Sequence, residues 1–199
     1  DAHSRHRIIF GVDWGKQSDF TAISVGCATC HVELARDRFN QIDYTFQRGR
    51  LAELVAKWKP VGILPERNSI GEPIAEQLIR DGMPILSGPD GSAGFMTTAQ
   101  TKPQLIENLA LAFERAEWQF GPDPLWRGEL EAYERVVSPV TGRSQYSAPE
   151  GMHDDTVIAR ALMLWAAGRA AALPTAQPTQ RSKWNDTPQQ DDGGRWRRY

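Results

Sequence analysis

Residues 7–15, RIIFGVDWG, decide how the rest of the chain is read. An apolar run ends in a carboxylate that has glycines at positions 11 and 15 on either side. On a strand, Ile8, Phe10 and Val12 face one way and Ile9, Gly11 and Asp13 the other. A carboxylate at the end of so apolar a strand is costly unless something pairs it. The flanking glycines let a ligand or another backbone come close. After a polar turn, FTAISVGCA (20–28) reads as a second strand and IDYTFQR (42–48) as a third, together an antiparallel meander.

Working outward, Leu51, Leu54, Val55 and Trp58 keep the i, i+3, i+4, i+7 spacing of an amphipathic helix, which Pro60 ends. VGILPE (61–66) is a short strand after it. Strand, helix, strand implies a parallel pair with a right-handed crossover. EPIAEQLIRDG (72–82) predicts a helix with Pro73 in its first turn and Gly82 at its stop, and MPILSG (83–88) a fifth strand. A glycine-rich loop follows, then a long helix from about Lys102 to Trp118 and a short one over Leu125–Arg135. VVSPVTGRSQYSA (136–148) reads as a β-hairpin turning near Thr141-Gly142-Arg143, and a last helix runs from Asp154 to about Ala172. The order is that of an α/β, ribonuclease H-like mixed sheet: an antiparallel meander plus parallel strands, flanked by helices, with an extra hairpin. The domain spans 7–172. Residues 173–199 are rich in Pro, Gln, Gly and charge and read as a flexible C-terminal tail.

Composition narrows the function classes. With 40% hydrophobic and 24% charged residues among 199, the chain can bury a real core. No run approaches a membrane span and no secretory signal is evident, so no membrane partner is expected. Two cysteines exclude a disulfide framework and make a reducing cytoplasm the default. A net charge of −2 is not that of a strongly basic nucleic-acid binder. Any DNA must be met by local patches, metal ions or a helping domain.

Three acidic positions stand at element ends. Asp13 closes the first strand and Glu66 closes VGILPE, where Gly62, Leu64 and Glu66 share a face. Sites in open α/β sheets lie beyond the carboxyl ends of strands, so parallel neighbours set Asp13 beside Glu66. Two close carboxylates repel each other, and a divalent cation relieves this. Asp154-Asp155 opens the last helix. Such a pair commonly caps a helix, but Asp155 shares a face with Ile158 and Leu162 and points at the sheet. Asp154 aligns with Ile158, Ala161 and Trp165 and can point inward as well, so the residues alone do not separate the two.

GVDWG, PERNSIG (65–71) and YSAPEGMHDDTVIARALMLWAA (146–167), in this order, resemble the nuclease domain of tailed-bacteriophage terminase large subunits, the DNA-packaging motors. The resemblance puts the family's acidic ligands on Asp13, Glu66 and the Asp154-Asp155 pair, with Asp155 the preferred ligand of the pair and Asp154 the cap, itself kept as a candidate. It implies a metal-dependent endodeoxyribonuclease that cuts double-stranded DNA with little sequence specificity. Two Mg²⁺ or Mn²⁺ ions, roughly 3.5–4 Å apart, would hydrolyse the phosphodiester. Hard oxygen ligands suit these ions. It further implies the host bacterial cytoplasm as location, and a terminase ATPase domain, portal and small terminase subunit as partners. The phosphate-loop pattern GxxxxGK[ST] of an ATPase is absent: Gly11 to Lys16 has the wrong spacing and Gln17 replaces Ser/Thr.

Lys16, Arg67, Asn68, Lys102 and Arg143 are the candidate DNA contacts, Arg143 because a hairpin tip beside the site can track a duplex. His153 is a further candidate base or ligand. Cys27-Ala28-Thr29-Cys30-His31 fits the haem-attachment pattern, but without an export signal it is read as an inert reduced pair. Zinc would need a second pair of ligands, and His3 and His6 are the nearby donors. Rival readings are a resolvase- or transposase-type nuclease on the same fold, an actin-like nucleotide-binding domain, and a non-catalytic docking module for a phage portal.

Overall fold

The computed structural model describes residues 3, 5–15, 19–68, 71–137, 144–149 and 151–173. The tail reading for 174–199, Lys16 and Arg143 therefore lie outside the described residues.

The strand at the start of the argument is β1, Ile8–Asp13. It pairs antiparallel with β2, Thr21–Cys27, which pairs antiparallel with β3, Val32–Phe39. On its other edge β1 pairs in parallel with β4, Gly62–Pro65, giving the order β3-β2-β1-β4. The helices between and after these strands are α1 (Tyr44–Trp58), α2 (Gly71–Arg80), α3 (Thr101–Glu114), α4 (Pro124–Ala132) and α5 (Asp155–Ala167). Strands β5, Glu134–Val137, and β6, Ser144–Ser147, form the separate hairpin.

The two faces of β1 separate two cores, as its period requires. Ile8, Phe10 and Val12 pack with Ile23, Val25 and Ile63 of the sheet, Leu51 of α1, and Ile74 and Leu78 of α2. Ile9 on the opposite face joins Leu64, Leu105 and Leu109 of α3, Trp126 of α4, and Ile158 and Leu162 of α5. Helices thus cover both faces of a mixed sheet. At Gly11 the strand and α5 touch through their backbones. A Cβ there would sit 2.0 Å from the Ala159 carbonyl oxygen and 2.3 Å from the Met163 nitrogen. Gly82 ends the α2 segment with φ of +80°, a conformation that costs glycine little.

Two of the expected strands are corrected. Residues 42–48 are not the third strand. Asp43 caps α1 instead, its carboxylate accepting from Thr45 N–H at 2.7 Å and Phe46 N–H at 3.3 Å. Two orphan donors of a helix N-terminus are thereby satisfied, which overrides the weak alternation of IDYTFQR. The third strand is VELARDRF, whose charges find partners across layers. Buried Glu33 accepts from Ser24 Oγ at 2.9 Å and pairs with Arg160 Nε of α5 at 2.9 Å. MPILSG forms only isolated bridges, Ile85 to Ile63 and Ser87 to residues 93 and 94, rather than a full strand.

Candidate active site

The parallel register of β1 and β4 places Val12 opposite Pro65, and the Glu66 N–H continues the ladder to the Val12 carbonyl at 2.7 Å. Asp13 and Glu66 consequently leave neighbouring strands side by side. Backbone contact between Gly11 and α5 brings the start of that helix to the same strand ends. Asp13 and Asp155 are each only 8% exposed. Burial raises the Asp13 pKa well above the carboxylate range, and the Glu66, Asp155 and Asp154 charges raise it further. Burial and the charge of Glu129 push Asp155 up to about 6, against the opposing pull of Arg38. Four acidic side chains from three elements therefore converge at the carboxyl end of the sheet.

Each carboxylate is held differently. Glu66 Oε1 accepts from the Thr97 hydroxyl and from Asn68 Nδ2 at 3.3 Å, while Asn68 Oδ1 accepts from Thr97 N–H at 3.1 Å. Asp155 lies 3.4 Å from Arg38 Nη2, which also meets Glu129 at 3.2 Å. His153 Nδ1 is 3.7 Å from Asp155. Asp154 occupies the N-cap position of α5, but its side chain caps nothing. It pairs instead with Lys102 Nζ at 3.1 Å, so the capping role expected for it is corrected.

Of the expected DNA contacts, Arg67 is tied to Glu72 and Asp90, while Lys102 pairs with Asp154 of the acidic cluster. Asn68 faces inward and positions Glu66 through Thr97. Arg38, Glu129, Thr97 and Tyr133 belong to this neighbourhood and escape a reading of the sequence. Arg38 sits on the strand that charge conceals, its guanidinium 3.4 Å from the centroid of the Phe20 ring. Tyr133 is held protonated by burial and by the nearby charges of Asp154 and Asp13. Its only outward signal is an aromatic residue just before the hairpin.

The sheet order, the crossover between β1 and β4, and helices on both faces define a ribonuclease H-like α/β domain. No family model matches the chain. It is 26% identical over 162 residues to the terminase large subunit of Thermus virus P23-45, covering 81% of this chain and 32% of that protein. The large terminase nuclease of thermophilic phage G20c, solved with bound cobalt, superposes with a TM-score of 0.71 at 25% identity, over 80% of this chain and 81% of that one. The nuclease domain of the Sf6 large terminase subunit, solved with manganese, shares the fold alone, with a TM-score of 0.61 at 11% identity over 84% and 93% of the two chains. In sequence the chain is similar to bacteriophage terminase large subunits, and in fold to their nuclease domains. It spans about a third of the length of the curated relatives it matches.

Proposed function

We propose that this domain is the metal-dependent endonuclease of a phage DNA-packaging motor, cutting double-stranded DNA with little sequence preference. The observation that carries the reading is the convergence of Asp13, Glu66 and Asp155 at one strand end, with too few cations to neutralise them. A carboxylate set in which burial, and then mutual repulsion, raise the Asp13 pKa is suited to hard divalent cations. Asp13, Glu66 and Asp155 would hold two Mg²⁺ or Mn²⁺ ions, with Asp154 beside them. Bound there, the ions supply Lewis-acid activation of a water and neutralise charge on the departing 3′ oxygen.

The chain's own residues set up that chemistry. Thr97 and Asn68 fix the orientation of the Glu66 carboxylate. Arg38 bridges Glu129 and Asp155 and keeps the latter from swinging outward. At Lys102 and Arg67 a phosphate backbone would exchange for their present acidic partners. His153, on the exposed side of Asp155, is placed to take a proton from solvent-side water. Lys16 and Arg143 are proposed as further backbone contacts. Among the described residues no helix is long and apolar enough to cross a membrane. The host cytoplasm is the proposed place of action, with an ATPase domain, portal and small terminase subunit as partners.

The test is plasmid digestion by the purified chain with Mn²⁺, with Mg²⁺ and with excess EDTA, beside the Asp13→Ala variant. Cleavage with the cations, absent in EDTA and in the variant, is expected. Equal cutting in EDTA would overturn the reading.

A further inference from the structure

We propose that His3, His6, Cys27 and Cys30 form a structural zinc site that clips the segment before β1 onto the turn between β2 and β3. The sequence reading leaves the cysteines idle, with the two histidines as mere neighbours; the structure gathers all four. Cys27 ends β2 and is fully buried, while Cys30 lies exposed in the following turn. His3 and His6 share a turn of their own, the His6 N–H donating to the His3 carbonyl at 3.0 Å.

The four ligand atoms lie within 4.8 Å of one another. His3 Nδ1 is 3.1 Å from His6 Nδ1, Cys27 Sγ is 3.4 Å from His6 Nδ1, and Cys30 Sγ is 3.7 and 3.8 Å from the two ring nitrogens. A tetrahedral zinc, with Zn–N of about 2.0–2.1 Å and Zn–S of about 2.3 Å, sets its ligand atoms roughly 3.3–3.8 Å apart. Four of the six edges, at 3.1–3.8 Å, fall in or close to that range. The rings stand edge to face, 81° apart, which turns both Nδ1 atoms to one centre. H-x-x-H and C-x-x-C are each a spacing that lets one short turn present two ligands.

Charge and chemistry agree with this geometry. Binding Zn²⁺ releases the two thiol protons. Two thiolates and two neutral imidazoles then make an uncharged centre, compatible with the buried Cys27. Thiolates select a softer cation than the carboxylates around Asp13, so the two ends of β1 have different metal preferences. The ends are separated by about 16 Å at the usual strand rise. His31 takes no part. Its ring stacks on Trp118 at 5.3 Å and 12°, which leaves the haem-attachment pattern without its histidine. The same corner is already tied by backbone, with Ala28 N–H donating to the Arg7 carbonyl at 2.8 Å and Arg7 N–H to Thr29 Oγ1 at 3.0 Å. Zinc would lock that corner from the solvent side.

The experiment measures metal content of the full chain, expressed untagged with zinc in the medium, by plasma mass spectrometry. Stoichiometric zinc is expected in the wild type and in Asp13→Ala. It should fall to background in Cys27→Ser/Cys30→Ser and in His3→Ala/His6→Ala. Single Cys30→Ser and His3→Ala variants, altered outside the core, serve if a double variant fails to fold. Cobalt substitution should give the visible spectrum of a tetrahedral, thiolate-bound ion in the wild type only. Plasmid cleavage by Cys30→Ser should match the wild type, while its melting temperature falls to that of chelator-treated wild type. Folded wild type without zinc would overturn the proposal. So would zinc retained undiminished in the cysteine and histidine variants, since the metal would then belong to the carboxylates.

Discussion

Two groups of carboxylates, each with buried members, lie on the α5 side of the sheet, and they are treated in opposite ways. Around Arg160, charges are matched. Its guanidinium meets Glu33 at 2.9 Å and Asp123 at 2.8 Å and lies over Trp126, and Arg36 adds a second contact to Asp123 at 3.1 Å. Asp123 is held below the usual carboxylate range: hydrogen bonds from the Trp126 N–H and Arg160, with the Arg160 and Arg36 charges, outweigh its burial. At the end of β1, Asp13 and Glu66 have each other, and Arg38 and Lys102 reach only the Asp155-Asp154 side. Asp13 is raised, first by its burial and then by the Glu66, Asp155 and Asp154 charges. The same residue type is a structural fastener where it is half-buried beside two cations, and is buried in mutual repulsion with other carboxylates in the other place. A protein keeps such repulsion only where something else relieves it.

The strongest way to break the comparison is to remove one charge from each group. Asp13→Ala should reduce Mn²⁺-dependent plasmid cleavage to background while the metal-free protein melts at the same or a higher temperature. Arg160→Met should do the reverse. It leaves buried Glu33 with only a 3.5 Å contact to Arg36 and should cost about 3–5 kcal/mol in urea unfolding. Adding Glu33→Gln to Arg160→Met should restore part of that loss. A drop in stability for Asp13→Ala as large as that for Arg160→Met would erase the distinction.

A smaller contrast lies inside the acidic group. Asp155 is buried and shared with Arg38, whereas Asp154 is half-buried and held by Lys102. Asp155→Ala should lose more cleavage and more metal affinity than Asp154→Ala, measured by calorimetric titration and plasmid digestion side by side. The reverse order would move the main ligand one residue back.

The smallest expected effect is on pH. Asp155, pushed up to about 6, favours the folded state in its protonated form. That contribution is fully present below the ordinary carboxylate pKa of about 3.9 and is lost as pH rises through about 6. Asp123 has the opposite sign. Its contribution is present above the ordinary value and lost as pH falls through its lowered one. In EDTA, melting temperature should therefore rise by a few degrees as pH falls from about 7 to about 5, before the loss of pairs such as Asp123–Arg160 reverses it. Asp155→Ala should flatten the rise, and divalent cation should abolish it.

The side-by-side placement of Asp13 and Glu66 is legible in the sequence because it needs only a period of two, a helix stopped by Pro60 and a right-handed crossover. The hairpin and the long helices are legible for similar local reasons. β3 is not. VELARDRF looks like a polar linker until Glu33 meets Arg160, 127 residues away, and Asp37 meets Arg50 of α1 at 2.8 Å. Arg38, on that same strand, is hidden with it. IDYTFQR misleads because one side chain, Asp43, can start a helix where alternation suggests a strand. Glu129 is invisible for another reason. It lies on the buried side of α4, and only the fold brings its carboxylate to the Thr156 hydroxyl and to Arg38. Asp154 sits at the position a cap would take, and nothing local reveals that Lys102 claims its side chain.

The missing side chain at Gly11 acts as a machinist's zero-thickness spacer. Because nothing stands between β1 and α5 there, the gap between the strand end carrying Asp13 and the helix end carrying Asp155 is set by two rigid rods in direct contact. A single methyl at position 11 would be a shim. It would push the rods apart and widen the jaw between the two carboxylates without touching either one. On the proposed reading, the spacing of the two carboxylates about an ion would thus be adjustable from a residue that has no donor atom to offer.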